Sequence, residues 1–82
     1  MTTEKKLRDF ILENYLFTDD QSELKNADSF LEQGIIDSTG IMEVIYFIEE
    51  QFSIAVEDEE MVPDNLDSVD NLMKFISSKQ GE

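Results

Sequence analysis

Gly34-Ile35-Ile36-Asp37-Ser38-Thr39-Gly40-Ile41-Met42-Glu43-Val44-Ile45-Tyr46-Phe47-Ile48-Glu49-Glu50-Gln51-Phe52 begins as a loop and continues as a helix. Ile41, Val44, Ile45, Ile48 and Phe52 recur at i, i+3, i+4, i+7 and i+11, so one helical face is apolar and turned to a core. The opposite face carries Thr39, Glu43, Tyr46 and Glu50, flanked by Met42 and Phe47. Exposed Met and Tyr among carboxylates combine an adaptable apolar contact with a charged rim, the composition of a partner-docking strip. Phe47 is expected to finish the edge of the core, which leaves Met42 and Tyr46 as the interface candidates.

At the start of this helix the first four backbone N–H groups lack intrahelical partners, and the macrodipole adds partial positive charge. An anion attached there is stabilised, so Ser38 is well placed to carry a phosphate-type group. It is poorly placed to be a nucleophile in its own right. The chain has no histidine and no cysteine, and Asp37, as an ordinary exposed carboxylate, is too weak a base at neutral pH. Another molecule has to activate Ser38. Asp and Ser are also preferred N-caps, and taken alone the dipeptide Asp37-Ser38 signals no more than a helix start.

Outward from this element, Leu7, Phe10 and Ile11, followed by Asn14 and Tyr15, have the spacing of an amphipathic helix begun by Thr2 or Thr3. Lys5, Lys6 and Arg8 fall on its solvent side. Thr18-Asp19-Asp20-Gln21 has capping-box spacing. The rest of the stretch to Asp37 lacks periodicity and reads as a long ordered loop anchored by Phe30, Leu31, Ile35 and Ile36. Ser53 to Val56 is a short extended link. Glu57-Asp58-Glu59-Glu60 lacks the ligand order of a calcium loop and reads as a solvated helical turn docked through Met61 and Val62, with no metal bound. Pro63-Asp64-Asn65 breaks the chain, after which Asp67 or Ser68 caps a last helix with Val69, Leu72, Met73 and Ile76 facing inward. The expected fold is all-α: a small bundle of three main helices plus one short helix, with a long loop between the first and second, forming a single domain over 1–82.

The chain has 82 residues and a net charge of −14, with 40% hydrophobic and 32% charged residues. That is enough to fold and too little for a catalytic domain with its own cleft, and self-repulsion points to modest stability that rises with salt. Between Lys25 and Lys74 there is no Lys or Arg. Such a one-signed surface repels nucleic acid and anionic membranes and attracts basic protein surfaces. The same repulsion favours a monomer. No basic-then-apolar leader or long apolar run is present, so neither secretion nor membrane insertion is expected, and the absence of cysteine fits a cytoplasmic, reducing setting.

The stretch from Asp28 to Val44 resembles the acyl and peptidyl carrier-protein family, and the order of elements along nearly the whole chain is similar too. The resemblance implies a non-enzymatic carrier. In it, Ser38 is esterified by the phosphate of 4′-phosphopantetheine, which a phosphopantetheinyl transferase takes from coenzyme A, and Asp37 is the adjacent carboxylate that the transferase recognises. The arm's thiol then holds an acyl or aminoacyl group as a thioester, delivered from a loading enzyme to downstream processing enzymes with basic docking surfaces. Thr39, Met42, Glu43, Tyr46 and Glu50 are the expected partner contacts. Two positions depart from the commonest family pattern, Thr39 where Leu usually follows the serine and Gly40 where an acidic residue is frequent; this version looks like that of free-standing carriers. Gly costs about 1 kcal/mol in a helix, so Gly40 marks either a tolerated weak first turn or a close approach of backbone to a partner or to the arm. The competing reading is an unmodified acidic helical adaptor that binds a basic protein through the second helix.

Overall fold

The computed structural model describes residues 2–81; Met1 and Glu82, the ends of the expected 1–82 domain, lie outside the described residues. Four α-helices follow one another: α1 (Thr3–Ile11), α2 (Ser38–Phe52), α3 (Pro63–Leu66) and α4 (Val69–Lys79), and no strand occurs among the described residues. The all-α expectation of three main helices and a short one holds.

Each start follows from a local cap. The Thr2 hydroxyl accepts from the Lys5 amide at 3.1 Å, the Asp37 carboxylate from Gly40 at 2.7 Å and the Ser68 hydroxyl from Asn71 at 3.1 Å, each satisfying an amide the helix leaves free. Pro63, expected with Asp64 and Asn65 to break the chain, instead begins α3, where its missing N–H costs nothing. Leu7 and Ile11 of α1, Val44, Ile45 and Ile48 of α2, and Val69, Leu72 and Ile76 of α4 are almost wholly buried in one core. Complete burial of side chains of this size stabilises the fold by about 1.5–3 kcal/mol each. Ile41, Phe52 and Met73, expected inside, are half-buried at its margin, whereas Phe75 joins the core.

The first helix ends differently from its periodicity. Its α-helical ladder stops at Ile11 and widens into a π turn over Leu12–Leu16, closed by Phe17 in the left-handed region at φ 55°. Leu12 is buried and Phe17 is 82% exposed. Arg8, expected on the solvent side, instead reaches into the loop after α1. Its guanidinium donates to the carbonyls of Gln21 (2.6 Å) and Leu24 (2.8 Å) and to the side chains of Gln21 (3.0 Å) and Asn26 (2.6 Å). The planar fork thereby satisfies acceptors that no helix or sheet supplies.

The long loop is ordered by such contacts. Asp20 caps a 3₁₀ turn over Gln21–Glu23, Leu24, Phe30 and Ile36 plug the core, and Gly34 at φ 71° lets the Ile35 amide return to the Phe30 carbonyl at 2.9 Å. Leu31, expected as an anchor, is 40% exposed. Asp67, between α3 and α4, accepts from the Ser29 hydroxyl and from the Leu31 amide at 3.0 Å, and its carbonyl takes the Phe30 amide at 2.8 Å. The end of the loop is thus fastened across the bundle, which sets where α2 begins. Asp58–Glu60 forms a 3₁₀ turn with a reciprocal capping box between Glu57 and Glu60, and Lys79 of α4 holds Glu60 at 2.8 Å. Met61 packs against the core as expected; Val62 is 40% exposed. Among the described residues, no helix is long and apolar enough to cross a membrane.

Candidate functional site

Ser38 is the first residue of α2 and is exposed. Asp37 holds the Gly40 amide with its carboxylate and the Ile41 amide with its carbonyl at 3.0 Å. The amides of Ser38 and Thr39 therefore face outward without helix partners. Among the described residues nothing hydrogen-bonds to the Ser38 hydroxyl. The cap engages one Asp37 carboxylate oxygen, Oδ1.

Beside Ser38 lies a cleft of about 240 Å³ between α2 and the segment leading into α3. Ile41, Met42 and Ile45 form one wall and Met61, Val62 and Pro63 the other, with Leu31 and Asp67 at the margin. Sequence reasoning found Ser38 and Met42 but not this far wall. Met61, Val62 and Pro63 are one short run without helical period, and only packing brings it against α2.

Gly40 has a reason within the chain. A Cβ there would come within 2.7 Å of Ile36 Cγ2 and 3.3 Å of the Tyr15 ring, so the space is already taken by the loop and by the π turn. The close approach is intramolecular; neither the arm nor a partner is needed to explain it. The Tyr15 hydroxyl donates to the Glu43 carboxylate at 2.5 Å and lies 3.3 Å from the Gly40 carbonyl. Burial, reinforced by the Glu43 carboxylate, pushes the hydroxyl's pKa well above the ordinary tyrosine range. Tyr15 thus ties the end of the first helical segment to the first turn of α2. The available signal was a tyrosine on an apolar stripe, whose hydroxyl has to find an acceptor when the ring is covered.

Of the expected partner contacts, Thr39, Met42, Glu43, Tyr46 and Glu50 are all exposed, with Tyr46 at 62%. They do not form one strip. Met42 belongs to the cleft beside Ser38, whereas Glu43, Tyr46 and Glu50 border a hollow on the other flank of α2, facing α1. Phe47 finishes the core edge as expected, stacked on Phe10 of α1 with ring centroids 4.0 Å apart.

A small helical bundle with an open serine at the head of its central helix has the outline of a carrier. No protein-family model matches the chain. It is, however, similar to the D-alanyl carrier protein of Streptococcus uberis, 31% identical over 80 residues, a match that spans 98% of this chain and 98% of that protein. The chain belongs to the carrier-protein family. It is a carrier and not an enzyme, and phosphopantetheine is the group that this family generally carries.

Proposed function

We propose that residues 1–82 form one carrier domain in which Ser38 receives 4′-phosphopantetheine from coenzyme A through a phosphopantetheinyl transferase. The observation that carries this is an exposed hydroxyl, without a hydrogen-bond partner, next to two unpaired amides at a helix head. The residues fit the group. The Ser38 and Thr39 amides and the α2 dipole favour the phosphate, and the cleft along Met42 gives the proximal arm an apolar wall. When bound, the arm supplies a thiol that holds cargo as a thioester.

What the chain itself does is bind and orient. Asp37 fixes the first turn of α2 and presents a carboxylate beside the serine to the transferase. As the bond from the Ser38 oxygen to phosphorus forms, the pyrophosphate bond of coenzyme A breaks and adenosine 3′,5′-bisphosphate leaves; the serine's proton passes to a base on the transferase, since this chain has no histidine or cysteine. Thr39, Met42, Glu43, Tyr46 and Glu50 are the contacts for the transferase, for a loading enzyme and for downstream processing enzymes with basic surfaces. The arm raises the effective concentration of its cargo at those enzymes. The cargo is acyl or aminoacyl; the name of the Streptococcus uberis relative favours an aminoacyl group such as D-alanine. A monomeric, cytoplasmic carrier fits the strong self-repulsion and the absence of cysteine.

Mass spectrometry after incubation with a broad-specificity transferase and coenzyme A tests the proposal. The protein should gain the mass of one phosphopantetheine, and Ser38→Ala should gain none. Folded wild-type protein that gains nothing would point instead to the unmodified adaptor.

A further inference from the structure

The flank of α2 away from Ser38 carries a second surface. Two adjoining hollows of about 330 and 310 Å³ share Phe10, Asn14 and Phe47 and run along the seam between α1 and α2. The stacked Phe10 and Phe47 rings form their floor. On the α2 side the rim carries Glu43, Tyr46 and Glu50, and on the α1 side Asp9 and Glu13, with Lys6 towards one end. Asp9 is paired with Lys5, Lys6 lies 5.7 Å above the Phe52 ring and Glu43 accepts from Tyr15. Glu13 and Glu50 are exposed and have no cation within 4.0 Å among the described residues.

We infer that this trough is a docking surface for a basic amphipathic helix of a partner protein. Charge decides the occupant. A nucleic acid or an anionic membrane is repelled by the rim, and a second copy brings its own net charge of −14. The trough runs between two helices and offers no strand edge, so the fitting mode is helix in groove, with apolar side chains over the two rings and Lys or Arg along the margins. From Lys6 to Tyr15 it spans about 13 Å at a helical rise of about 1.5 Å per residue, room for roughly two and a half turns of the visitor.

The function that follows is retention. Ser38, Ile41, Met42 and Ile45 line the cleft while Glu43, Tyr46, Phe47 and Glu50 line the trough. At about 100° per residue, their mean directions differ by roughly a third of a turn around α2. A protein seated in the trough covers Glu43, Tyr46 and Glu50 and leaves Ser38 and Met42 to a second protein, which then engages the carrier from the cleft side. This deepens the partner reading above and rests on it for the role of the surface, though not for the binding.

The test is a titration of isotopically labelled full-length protein, followed by amide NMR, with a synthetic three-turn peptide carrying Leu and Trp on one face and Lys on its flanks. A peptide of the same composition in scrambled order serves as control. The expected result is saturable shifts confined to residues 6–15 and 43–51, weaker binding of the scrambled peptide, and at least tenfold weaker binding to Glu13→Lys/Gln51→Lys. Those two exposed positions border the trough, and a cooperative melting transition no lower than that of the wild type shows that the variant is folded. Shifts centred on Met42 and Met61, shifts spread evenly over the acidic surface, equal binding of the scrambled peptide, or unchanged affinity in the variant overturns the inference. Concentration-dependent shifts at the seam without peptide also overturn it, in favour of a second copy. None of these outcomes bears on the mass gain at Ser38, which is read separately.

Discussion

Gly40 sits where helix propensity and packing disagree. Alanine is favoured over glycine in a helix interior by about 1 kcal/mol, but its Cβ would meet Ile36 Cγ2 at 2.7 Å. Ile36 is buried and its β-branched side chain has little freedom to turn away, and overpacking of this kind costs about 1–3 kcal/mol. Gly40→Ala is therefore expected to lower stability by about 1 kcal/mol in urea denaturation; a stabilised variant would show that Ile36 yields. Tyr15 gives a prediction with a pH signature. Its folded-state pKa is raised above the unfolded value of about 10. The folded chain holds this proton more tightly, so the stabilisation is complete below about pH 10 and is lost as the pH rises beyond it. Tyr15→Phe should cost about 1 kcal/mol at neutral pH and make the alkaline fall in stability shallower. An alkaline limb identical to that of the wild type would show that folding does not raise the Tyr15 pKa.

Among the elements, the loop between α1 and α2 depends most on a single side chain. Arg8 satisfies two loop carbonyls and two side-chain acceptors, and hydrogen bonds from a charged donor contribute more than neutral ones. Arg8→Ala should destabilise by about 2–3 kcal/mol and speed amide exchange near Leu24 and Asn26. Arg8→Lys should recover little, because an ammonium cannot span the same fork. This strut was not legible in the sequence, since a long-range bond from a helix to loop carbonyls leaves no period. The helix that carries Ser38 was legible because Val44, Ile45 and Ile48 follow helical spacing and Asp37 stands at the cap position. In α4 the stripe of Val69, Leu72 and Ile76 could be read, while Phe75, off that stripe, is buried by neighbours that only folding supplies. The site divides in the same way. Its serine end follows from local chemistry, whereas the far wall of the cleft and the hydrogen bond from Tyr15 to Glu43 depend on segments distant along the chain.

At the scale of the molecule, all but Glu82 of the chain's 20 acidic residues share a described body of 32 × 27 × 19 Å, and only two ion pairs form among the described residues. The screening length is about 30 Å at 0.01 M salt and about 10 Å at 0.1 M. In dilute buffer every carboxylate therefore senses most others, and at moderate ionic strength only its neighbours. The melting temperature should rise by several degrees over that range, since about 1 kcal/mol corresponds to roughly 4–8 °C at this size; a flat response to salt would mean that self-repulsion has little influence on stability. Phe17, with its ring in solvent and its backbone in the left-handed region, follows the last turn of the first helical segment and offers chymotrypsin an early point of attack. Limited digestion should yield a peptide ending at Phe17, detectable by mass after denaturation. The severed halves should nonetheless migrate together on a sizing column, because Leu7, Ile11 and Leu12 of the short fragment remain gripped by side chains of the long one.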